Sequence, residues 1–153
     1  MLTIRTGVRS DAPVIARHNV ALAKETEHFD LDPERTLQGV LGMFDDPSRG
    51  FYLVAEMDGA VVGQLMITYE WSDWRNGVFW WIQSVYVPHA YRGQKVFRTL
   101  YDHVTAEAKR QGNVCGIRLY VEKQNAAAQK VYAALGMKVT EYQLLEVDFV
   151  LQR

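Results

Sequence analysis

The sequence predicts a mixed α/β fold in which amphipathic helices cover a layer of strands. Two apolar runs meet at Asp58-Gly59, a dipeptide typical of a tight hairpin turn, and therefore predict a pair of antiparallel strands. Residues 80–87 are rich in aromatic and β-branched side chains, a composition typical of a buried strand. Apolar residues recur at helical spacing from Val96 to Ala108, which predicts an amphipathic helix after that strand.

Capping, turn and periodicity signals give the element order β-α-α-β-β-β-α-β-α-β-β. Ser10-Asp11-Ala12-Pro13 and Asp32-Pro33 each combine a capping side chain with proline in the first turn, and they predict two helix starts. An acidic connection over residues 24–31 separates these helices, and Gly112 predicts the end of the long helix. The predicted strands span residues 2–8, 51–56, 61–69, 80–87 and 117–121, with two more within 137–151, and a short helix spans 125–135.

Length and composition indicate one cytoplasmic domain over residues 1–153. The 17 basic and 18 acidic residues give a net charge of −1, which argues against a nucleic-acid partner. A lone Cys115 fits a reducing compartment. The first 20 residues lack the apolar stretch of a secretion signal, and no run approaches the roughly 18 apolar residues of a membrane span.

The segment Tyr91-Arg92-Gly93-Gln94-Lys95-Val96-Phe97 links the apolar strand to the long helix. A turn in this position leaves backbone N–H groups unpaired at the helix start, where the helix dipole also favours negative charge. The segment therefore predicts a site for phosphate or pyrophosphate. Two alternatives stay open, because Arg92 could be a solvated surface residue and Lys95 could be exposed rather than bound to phosphate.

A second motif lies in the short predicted helix. Asn125, Ala128 and Tyr132 are three and then four residues apart, so they share one helix face. A small residue between two polar ones lets a ligand chain approach the backbone. Tyr132 could equally be a core tyrosine of an amphipathic helix.

With both motifs at this separation, the chain resembles the GNAT superfamily of acetyl-CoA-dependent N-acetyltransferases over essentially its whole length. The resemblance implies a mostly antiparallel central sheet, splayed between its fourth and fifth strands and flanked by about four helices. It also implies an acyltransferase that moves an acetyl group from acetyl-CoA to a primary amine by direct attack in a ternary complex. No metal is needed, and the four histidines lack the spacing of a metal site.

The resemblance also assigns roles to individual residues. Asn125 and Ala128 would lie along the pantetheine arm, and Tyr132 would meet the thioester sulfur and protonate the departing thiolate. Gln83 occupies the strand position of a frequent base glutamate but cannot accept a proton, so Glu70 is predicted to polarise a water chain instead. The CoA-binding set is Val85, Tyr86, Val87, Arg92, Gly93, Gln94, Lys95, Val96, Phe97, Asn125, Ala128 and Tyr132.

The acceptor is predicted to enter past the connection of the first two helices and a polar, aromatic loop over residues 71–77. Carboxylates beside indole rings suit a small cationic amine through charge pairing and cation–π contact. The acids could instead be merely solvated, the tryptophans could cover the sheet edge, and Arg75 could pair with Asp73 or recognise an acceptor carboxylate. The predicted acceptor residues are Glu25, Glu27, His28, Trp71, Asp73, Trp74 and Arg75.

Three positions depart from the family pattern. Lys95 and Phe97 replace small residues of the phosphate turn, so the backbone there loses freedom. Met137 replaces a more usual phenylalanine. With Gln83, these departures leave two alternatives open, a catalytically silent CoA-binding domain and a lysine acetyltransferase acting on proteins or peptides. The sequence also leaves a homodimer open.

Overall fold

A computed structural model describes residues 1–151 of the chain. These residues form five strands, four α-helices and two short 3₁₀ turns, and they divide into two compact units, Met1–Leu119 and a second unit that begins at Tyr120. The elements are β1 (Leu2–Thr6), α1 (Ala12–Glu27), α2 (Pro33–Asp45), β2 (Gly50–Met57), β3 (Ala60–Ser72), β4 (Gly77–Tyr86), α3 (Val96–Gln111), β5 (Val114–Leu119) and α4 (Ala126–Ala134).

The strands form one mixed sheet in the order β1-β2-β3-β4-β5. The pairs β1–β2, β2–β3 and β3–β4 are antiparallel, whereas β5 runs parallel to β4. Pairing of β4 with β5 ends at Ile82 and Leu119, so residues 83–86 of β4 have no β5 partner in the described chain. The predicted fold class and the predicted opening between the fourth and fifth strands are confirmed.

Helices cover both faces of this sheet. On one face, Ala12 and Ile15 of α1 and Val40 of α2 form a core cluster with Tyr52 and Val54 of β2. The other face receives α3, and it does so very closely: a Cβ on Gly63 would lie 2.6 Å from Val96 Cγ1. Since neighbouring strand residues face opposite ways, Gln64 points toward the face that α1 covers.

Several predicted boundaries in the first unit are wrong, and strand β4, for example, begins at Gly77 rather than at residue 80. Helix α1 continues through residues 24–27, all tolerated in helices, and stops only where His28 adopts a left-handed conformation with φ 53°. Strand β3 runs to Ser72, because Trp71 and Ser72 pair with Val78 and Gly77, and the predicted loop over residues 71–77 is therefore shorter.

The fifth strand also begins earlier than predicted, at Val114 rather than at residue 117. Gly116 lies just before the predicted strand. In the structure it pairs with Phe79 inside the sheet, and a Cβ there would lie 2.5 Å from the Phe79 ring. A glycine in a strand here permits close approach of an aromatic ring rather than ending the strand.

The prediction of two final strands within residues 137–151 is wrong. No residue from 138 to 151 belongs to a strand or a helix. The composition of this segment favours strands, but a strand forms only when its backbone groups pair with a neighbour. Residues 138–151 have no backbone–backbone hydrogen bond in the described chain.

Candidate active site

A β-bulge in β4 marks the point where this strand leaves β5. Gln64 of β3 pairs with Tyr86 of β4, and Met66 of β3 pairs with Gln83 of β4. Three residue steps along β4 therefore lie opposite two residue steps along β3. Ser84 lies within the bulge and has a positive φ of 52°, which is uncommon for a residue other than glycine. A bulge leaves the extra residue outside the ladder, and its backbone is therefore available to a ligand.

The fully buried side chain of Gln64 forms a hydrogen bond to the backbone of the bulge. The Nε2 atom of Gln64 donates to the Ser84 carbonyl oxygen at 3.2 Å and to Asn19 Oδ1 at 2.9 Å. Its Oε1 atom lies 2.9 Å from His18 Nδ1. This one amide therefore joins two residues of α1 to the irregular turn of β4.

The same contacts fix the tautomer of His18. Both amide protons of Gln64 are donated elsewhere, and Oε1 can only accept, so His18 Nδ1 carries the proton. Burial lowers the pKa of His18, and the positive charge of Arg17 lowers it further against the raising effect of the Gln64 hydrogen bond. His18 is consequently a neutral imidazole at pH 7 whose Nε2 atom holds a lone pair.

Sequence reasoning missed this cluster of His18, Asn19, Gln64 and Ser84. The four histidines lack the spacing of a metal site, and the helical spacing of His18 is also typical of a core position. One signal was readable: Gln64 is a polar residue inside an otherwise apolar strand sequence. A buried amide of that kind needs partners, and it usually finds them in a conserved turn or a site rather than in an apolar core.

Two predicted site residues meet Tyr86 at the end of β4. Tyr86 Oη donates to Glu25 Oε1 at 3.4 Å, and the Tyr86 ring centroid lies 5.2 Å from that of His18. Arg92 forms an ion pair with Glu25 at 2.9 Å and donates from Nε to the Val87 carbonyl oxygen at 2.8 Å. Burial raises the pKa of Tyr86, with a further contribution from the charge of Glu25, so the phenol stays neutral.

The predicted phosphate turn has the shape that the chemistry requires. Gly93 has φ 78°, and a Cβ there would meet no atom within 4 Å, so the turn presents open space above its backbone. Lys95 also adopts a left-handed conformation, with φ 63°, and α3 begins directly after it without a side-chain cap. The lysine thus keeps a glycine-like backbone, at a cost of roughly 1 kcal/mol for a residue with a Cβ. Residues 92–97 fit a pyrophosphate group.

Of the two predicted residues for proton transfer on the strands, Gln83 lies beside the bulge and Glu70 does not. Gln83 Nε2 donates to Thr68 Oγ1 at 2.6 Å, which orients the amide. Glu70 pairs with Phe79, five residues before Ser84, and is therefore roughly 17 Å away along β4. Its carboxylate accepts hydrogen bonds from Arg118 at 2.7 Å and from Trp81 Nε1 at 3.1 Å.

The structure does not bring the two halves of the predicted acceptor site together. Glu25 and Glu27 lie on the last two turns of α1, and His28 ends that helix. The other group, Trp71, Asp73, Trp74 and Arg75, lies around the start of β4. From Gly77 to Ser84 the strand covers roughly 23 Å, so the exposed indole rings of Trp71 and Trp74 are far from the bulge. Arg75 donates to Ser72 Oγ and lies over the Phe79 ring, rather than pairing with Asp73.

The second unit carries the motif of α4. Asn125 Oδ1 accepts a hydrogen bond from the Ala128 backbone N–H at 3.1 Å and so caps the helix. Ala128 and Tyr132 are half-buried, and burial raises the pKa of Tyr132. Tyrosine is protonated at neutral pH in any case, and a raised pKa makes its hydroxyl a weaker acid.

A separate cleft of about 630 Å³ lies between α3 and the starting end of β4, lined in part by Phe51, Tyr69, Trp80 and His103. None of the described residues form a cluster of three or more His, Cys, Asp or Glu side chains suited to a metal ion. No described helix has the length and apolar character needed to span a membrane. The bulge and the turn, rather than this cleft, therefore define the candidate site.

A split parallel strand pair, a bulge and a glycine turn at a helix start leave backbone groups that could bind an extended ligand carrying a pyrophosphate group. The profile of the Acetyltransferase (GNAT) family matches residues 17–137, and the chain belongs to this family. It is an acyltransferase of a family that uses acetyl-CoA. A comparison with curated proteins found no match.

Solved structures agree with this assignment. A possible acetyltransferase from Clostridium difficile 630 is 41% identical with a TM-score of 0.91, and the match covers 98% of this chain and 99% of that one. A predicted acetyltransferase with acetyl-CoA from Clostridium acetobutylicum is 17% identical with a TM-score of 0.78, covering 98% and 97%. A glucosamine-6-phosphate N-acetyltransferase from Arabidopsis thaliana is 17% identical with a TM-score of 0.72, covering 96% and 98%. At these lower identities the likeness concerns the fold alone.

Proposed function

We propose that this protein is an N-acetyltransferase that transfers the acetyl group of acetyl-CoA to a small cationic amine, by direct attack in a ternary complex. The observation that carries the proposal is the bulge at Ser84, which lies at the opening between β4 and β5 and beside a neutral, oriented histidine. The single Cys115 supports a cytoplasmic location for this activity.

Residues of the first unit provide the groups that would bind acetyl-CoA, which supplies an activated acetyl group as a thioester. The backbone N–H groups at the start of α3 would hold the pyrophosphate, with Lys95 as a direct phosphate partner. Arg92 acts differently in this proposal, because its guanidinium is already engaged by Glu25 and the Val87 carbonyl. Arg92 then positions the turn against α1 and β4. The N–H groups of the bulge would stabilise negative charge on the thioester oxygen.

Proton removal from the acceptor needs a base near the bulge. An alkylamine with a pKa of about 10.4 is mostly protonated at pH 7, so deprotonation costs roughly 4–5 kcal/mol. Glu70 acting through water was the sequence-based candidate, but its ion pair with Arg118 and its distance from Ser84 favour another group. We infer that His18 accepts the proton at Nε2, directly or through one water molecule, while Gln64 holds Nδ1–H.

The proton for the departing thiolate comes from Tyr132 in this scheme. Tyr132 is protonated at neutral pH, and because burial raises its pKa, the transfer depends on the negative charge that develops on the departing sulfur. Asn125 and Ala128 on the same helix would line the pantetheine arm. Since Asn125 Oδ1 already caps the helix, the amide nitrogen is the atom left to contact the ligand.

The acceptor preference rests on the charge at the end of α1. Glu25, Glu27 and Asp30 are exposed there, and they would attract a cationic amine. Glu25 is the closest of them to the site, since it contacts both Tyr86 and Arg92. The aromatic loop at the other end of β4 has no role in the proposed acceptor site.

The first experiment measures acetyl-CoA binding by calorimetry and acetyl transfer to polyamines, amino acids, aminoglycosides and lysine peptides. We expect binding, turnover of small amines, and a roughly tenfold loss of kcat/KM for them in Glu27→Gln, with no loss in Glu34→Gln on α2. Selective turnover of lysine peptides with Glu27 irrelevant would indicate a protein acetyltransferase. Binding without turnover of any amine would indicate a silent CoA-binding domain.

A second experiment identifies the base from the pH dependence of kcat/KM. His18→Gln should lower the rate about 10²-fold and remove the acidic limb, which in the wild type lies below the ordinary histidine pKa. Glu70→Gln should leave the profile unchanged. The reverse result, with the limb shifted by Glu70→Gln and kept in His18→Gln, assigns the proton to Glu70.

A further inference from the structure

Three aromatic side chains of the first unit line the cleft beside the end of α3. Tyr69 of β3 pairs with Trp80 of β4. Phe51 of β2 pairs with Ile67, two residues before Tyr69. The three ring centroids are 5.4–6.5 Å apart, and the ring planes are tilted against one another by 43–77°. Since residues two apart in a strand share a face, Tyr69 lies on the same side of the sheet as Gly63, which α3 covers.

Helix α3 leaves this ring cluster partly open to solvent. The last buried residue of the helix is Ala108, whose side chain is small. Tyr69 is 42% exposed and Phe51 is half-buried. The cleft has a volume of about 630 Å³, which lies within the roughly 300–1,000 Å³ of small-molecule pockets. Aromatic rings that line a cleft of this size can pack against a further ring.

Trp80 contributes an unpaired hydrogen-bond donor to the cleft. The residue is only 4% exposed, yet its Nε1 atom forms no hydrogen bond within the described chain. Every fully buried side-chain nitrogen or oxygen of the described residues has a partner, so Nε1 is not sealed inside the core. It therefore reaches solvent through the cleft, which Trp80 lines. A buried indole N–H normally has a hydrogen-bond partner, and a ligand with an acceptor atom would supply one.

The charges of the lining select against an ionic ligand. No lysine or arginine among the described residues lines the cleft, so an anion would find no cationic partner apart from His103. Glu107 is the one carboxylate of the described lining, and both of its oxygens accept hydrogen bonds from Arg110. Gln111 Nε2 also donates to this carboxylate, at 3.2 Å. A cation would have to displace these partners, whereas an uncharged ligand would not.

The cleft is separate from the candidate active site. The phosphate turn lies at the start of α3, whereas Glu107 and Gln111 line the cleft near the end of this helix. Helix α3 rises roughly 17 Å from Val96 to Glu107. Along β4, Trp80 precedes the bulge residue Ser84 by roughly 13 Å. No described residue that lines the cleft is assigned to acetyl-CoA or to the amine.

We propose that this cleft is a second binding site, which takes an uncharged, planar aromatic molecule with a hydrogen-bond acceptor. The ligand ring packs on Phe51 and Tyr69, and its acceptor receives the hydrogen bond from Trp80 Nε1. An aliphatic ligand of the same volume would lack the edge-to-face and offset-stacked contacts that aromatic rings make with one another. Binding at this site does not depend on the proposed acetyl transfer, because the two sites share no residue.

NMR of the indole N–H groups tests the proposal on the full-length wild-type protein. With ¹⁵N-labelled tryptophan the four indoles give four signals, and their comparison with those of Trp80→Phe identifies the signal of Trp80. The probe is isoquinolone, a neutral planar bicycle with a carbonyl acceptor. We expect a saturable shift of the Trp80 signal, while the exposed indoles of Trp71 and Trp74 stay unchanged. An unshifted Trp80 signal, or equal shifts at all the indoles, overturns the proposal.

Two further probes of similar size test the chemical class of the ligand. The fully saturated analogue of isoquinolone keeps the carbonyl acceptor but has no aromatic ring. N-methylisoquinolinium keeps the rings, loses the carbonyl and carries a positive charge. Calorimetry should show that each binds at least about fivefold more weakly than isoquinolone. Equal or tighter binding of either probe overturns the assignment of an uncharged aromatic ligand.

A pair of variants tests the hydrogen bond from the indole. Trp80→Phe keeps an aromatic ring but removes the N–H, so it should weaken isoquinolone binding about fivefold. The matched control is Trp81→Phe, at a side chain that points to the opposite face of the sheet and donates to Glu70. This control should bind isoquinolone as the wild type does. Unchanged affinity in Trp80→Phe, or an equal loss in both variants, overturns the role of the Trp80 N–H.

Competition with acetyl-CoA tests whether the two sites are separate. Saturating acetyl-CoA should leave the affinity of the wild type for isoquinolone unchanged, because the cleft and the phosphate turn share no residue. Displacement of isoquinolone by acetyl-CoA would place the probe in the candidate active site and overturn the second site. That result would leave the proposed acetyl transfer intact.

Discussion

The first unit and the second unit differ in how far each buries and pairs its own chemical groups. In the first unit, the buried amide of Gln64 has a partner for every hydrogen-bonding atom, and Leu65 and Ile67 beside it are fully buried. In the second unit, Leu145 and Phe149 are exposed, and residues 138–151 belong to no strand or helix. Both units carry predicted site residues, and the first unit holds its share in place by internal packing and buried hydrogen bonds.

The largest effect is expected at Tyr132, to which the proposed function assigns a chemical role in the second unit. Tyr132→Phe should lower kcat by about 10- to 10³-fold and leave acetyl-CoA affinity nearly unchanged. The substitution removes one proton-transfer group but keeps the aromatic ring and its binding contacts. Steady-state kinetics and calorimetry measure the two quantities separately.

The matched control for that substitution is Tyr142→Phe, since Tyr142 is an exposed tyrosine of the same unit. It should retain full activity. Equal activity of Tyr132→Phe and the wild type would mean that Tyr132 is a packing residue and that the second unit has no catalytic tyrosine at this position.

A large effect on stability is expected at the centre of the first unit. Gln64→Leu would leave His18 Nδ1–H, Asn19 Oδ1 and the Ser84 carbonyl without their partner. We expect a loss of about 2–4 kcal/mol in the free energy of unfolding, since each buried polar group left unpaired costs roughly 1–3 kcal/mol. Urea unfolding measures it, and Gln38→Leu, where an exposed amide bonds only Glu34, should stay within about 0.5 kcal/mol.

The elements of the first unit could be predicted because their signals are local. A hairpin dipeptide at Asp58-Gly59, a glycine stop at Gly112 and the apolar stripe of α3 each act within a few residues. The failures came from pairing between distant residues. Gly116 lies outside the predicted strand, and only its position beside the Phe79 ring explains why the strand has a glycine there.

The candidate site could be predicted in part for the same reason. The turn over residues 92–97 is contiguous in sequence, so the order of its residues alone predicts a phosphate site there. The cluster around Gln64 joins α1, β3 and the bulge of β4, which are up to 66 residues apart, from His18 to Ser84. A serine in a strand sequence does not indicate a bulge, so the irregular position of Ser84 could not be predicted. The separation of Trp74 from Ser84 follows from the length of β4, which the sequence did not define.

A smaller effect is expected from the titration of His18. Because burial holds its folded-state pKa below the ordinary value of about 6.5, the folded protein binds fewer protons than the unfolded chain just below that pH. The contribution of neutral His18 is therefore complete above pH 6.5 and is lost as the pH falls through the folded-state pKa. Chemical unfolding at a series of pH values should show this loss, and His18→Gln should flatten the curve in that window. A slope unchanged by the substitution would mean that His18 is not held neutral by the fold.

The smallest effect is expected at Leu145, when the two units are compared with the same substitution. Leu65→Ala removes a fully buried side chain of β3 and should cost about 2–5 kcal/mol in the free energy of unfolding. Leu145→Ala, at a side chain that is 88% exposed, should change the free energy of unfolding by less than about 0.5 kcal/mol. Urea unfolding of both variants measures the two quantities. If Leu145→Ala costs as much as Leu65→Ala, the side chain of Leu145 is buried, and the contrast between the two units disappears.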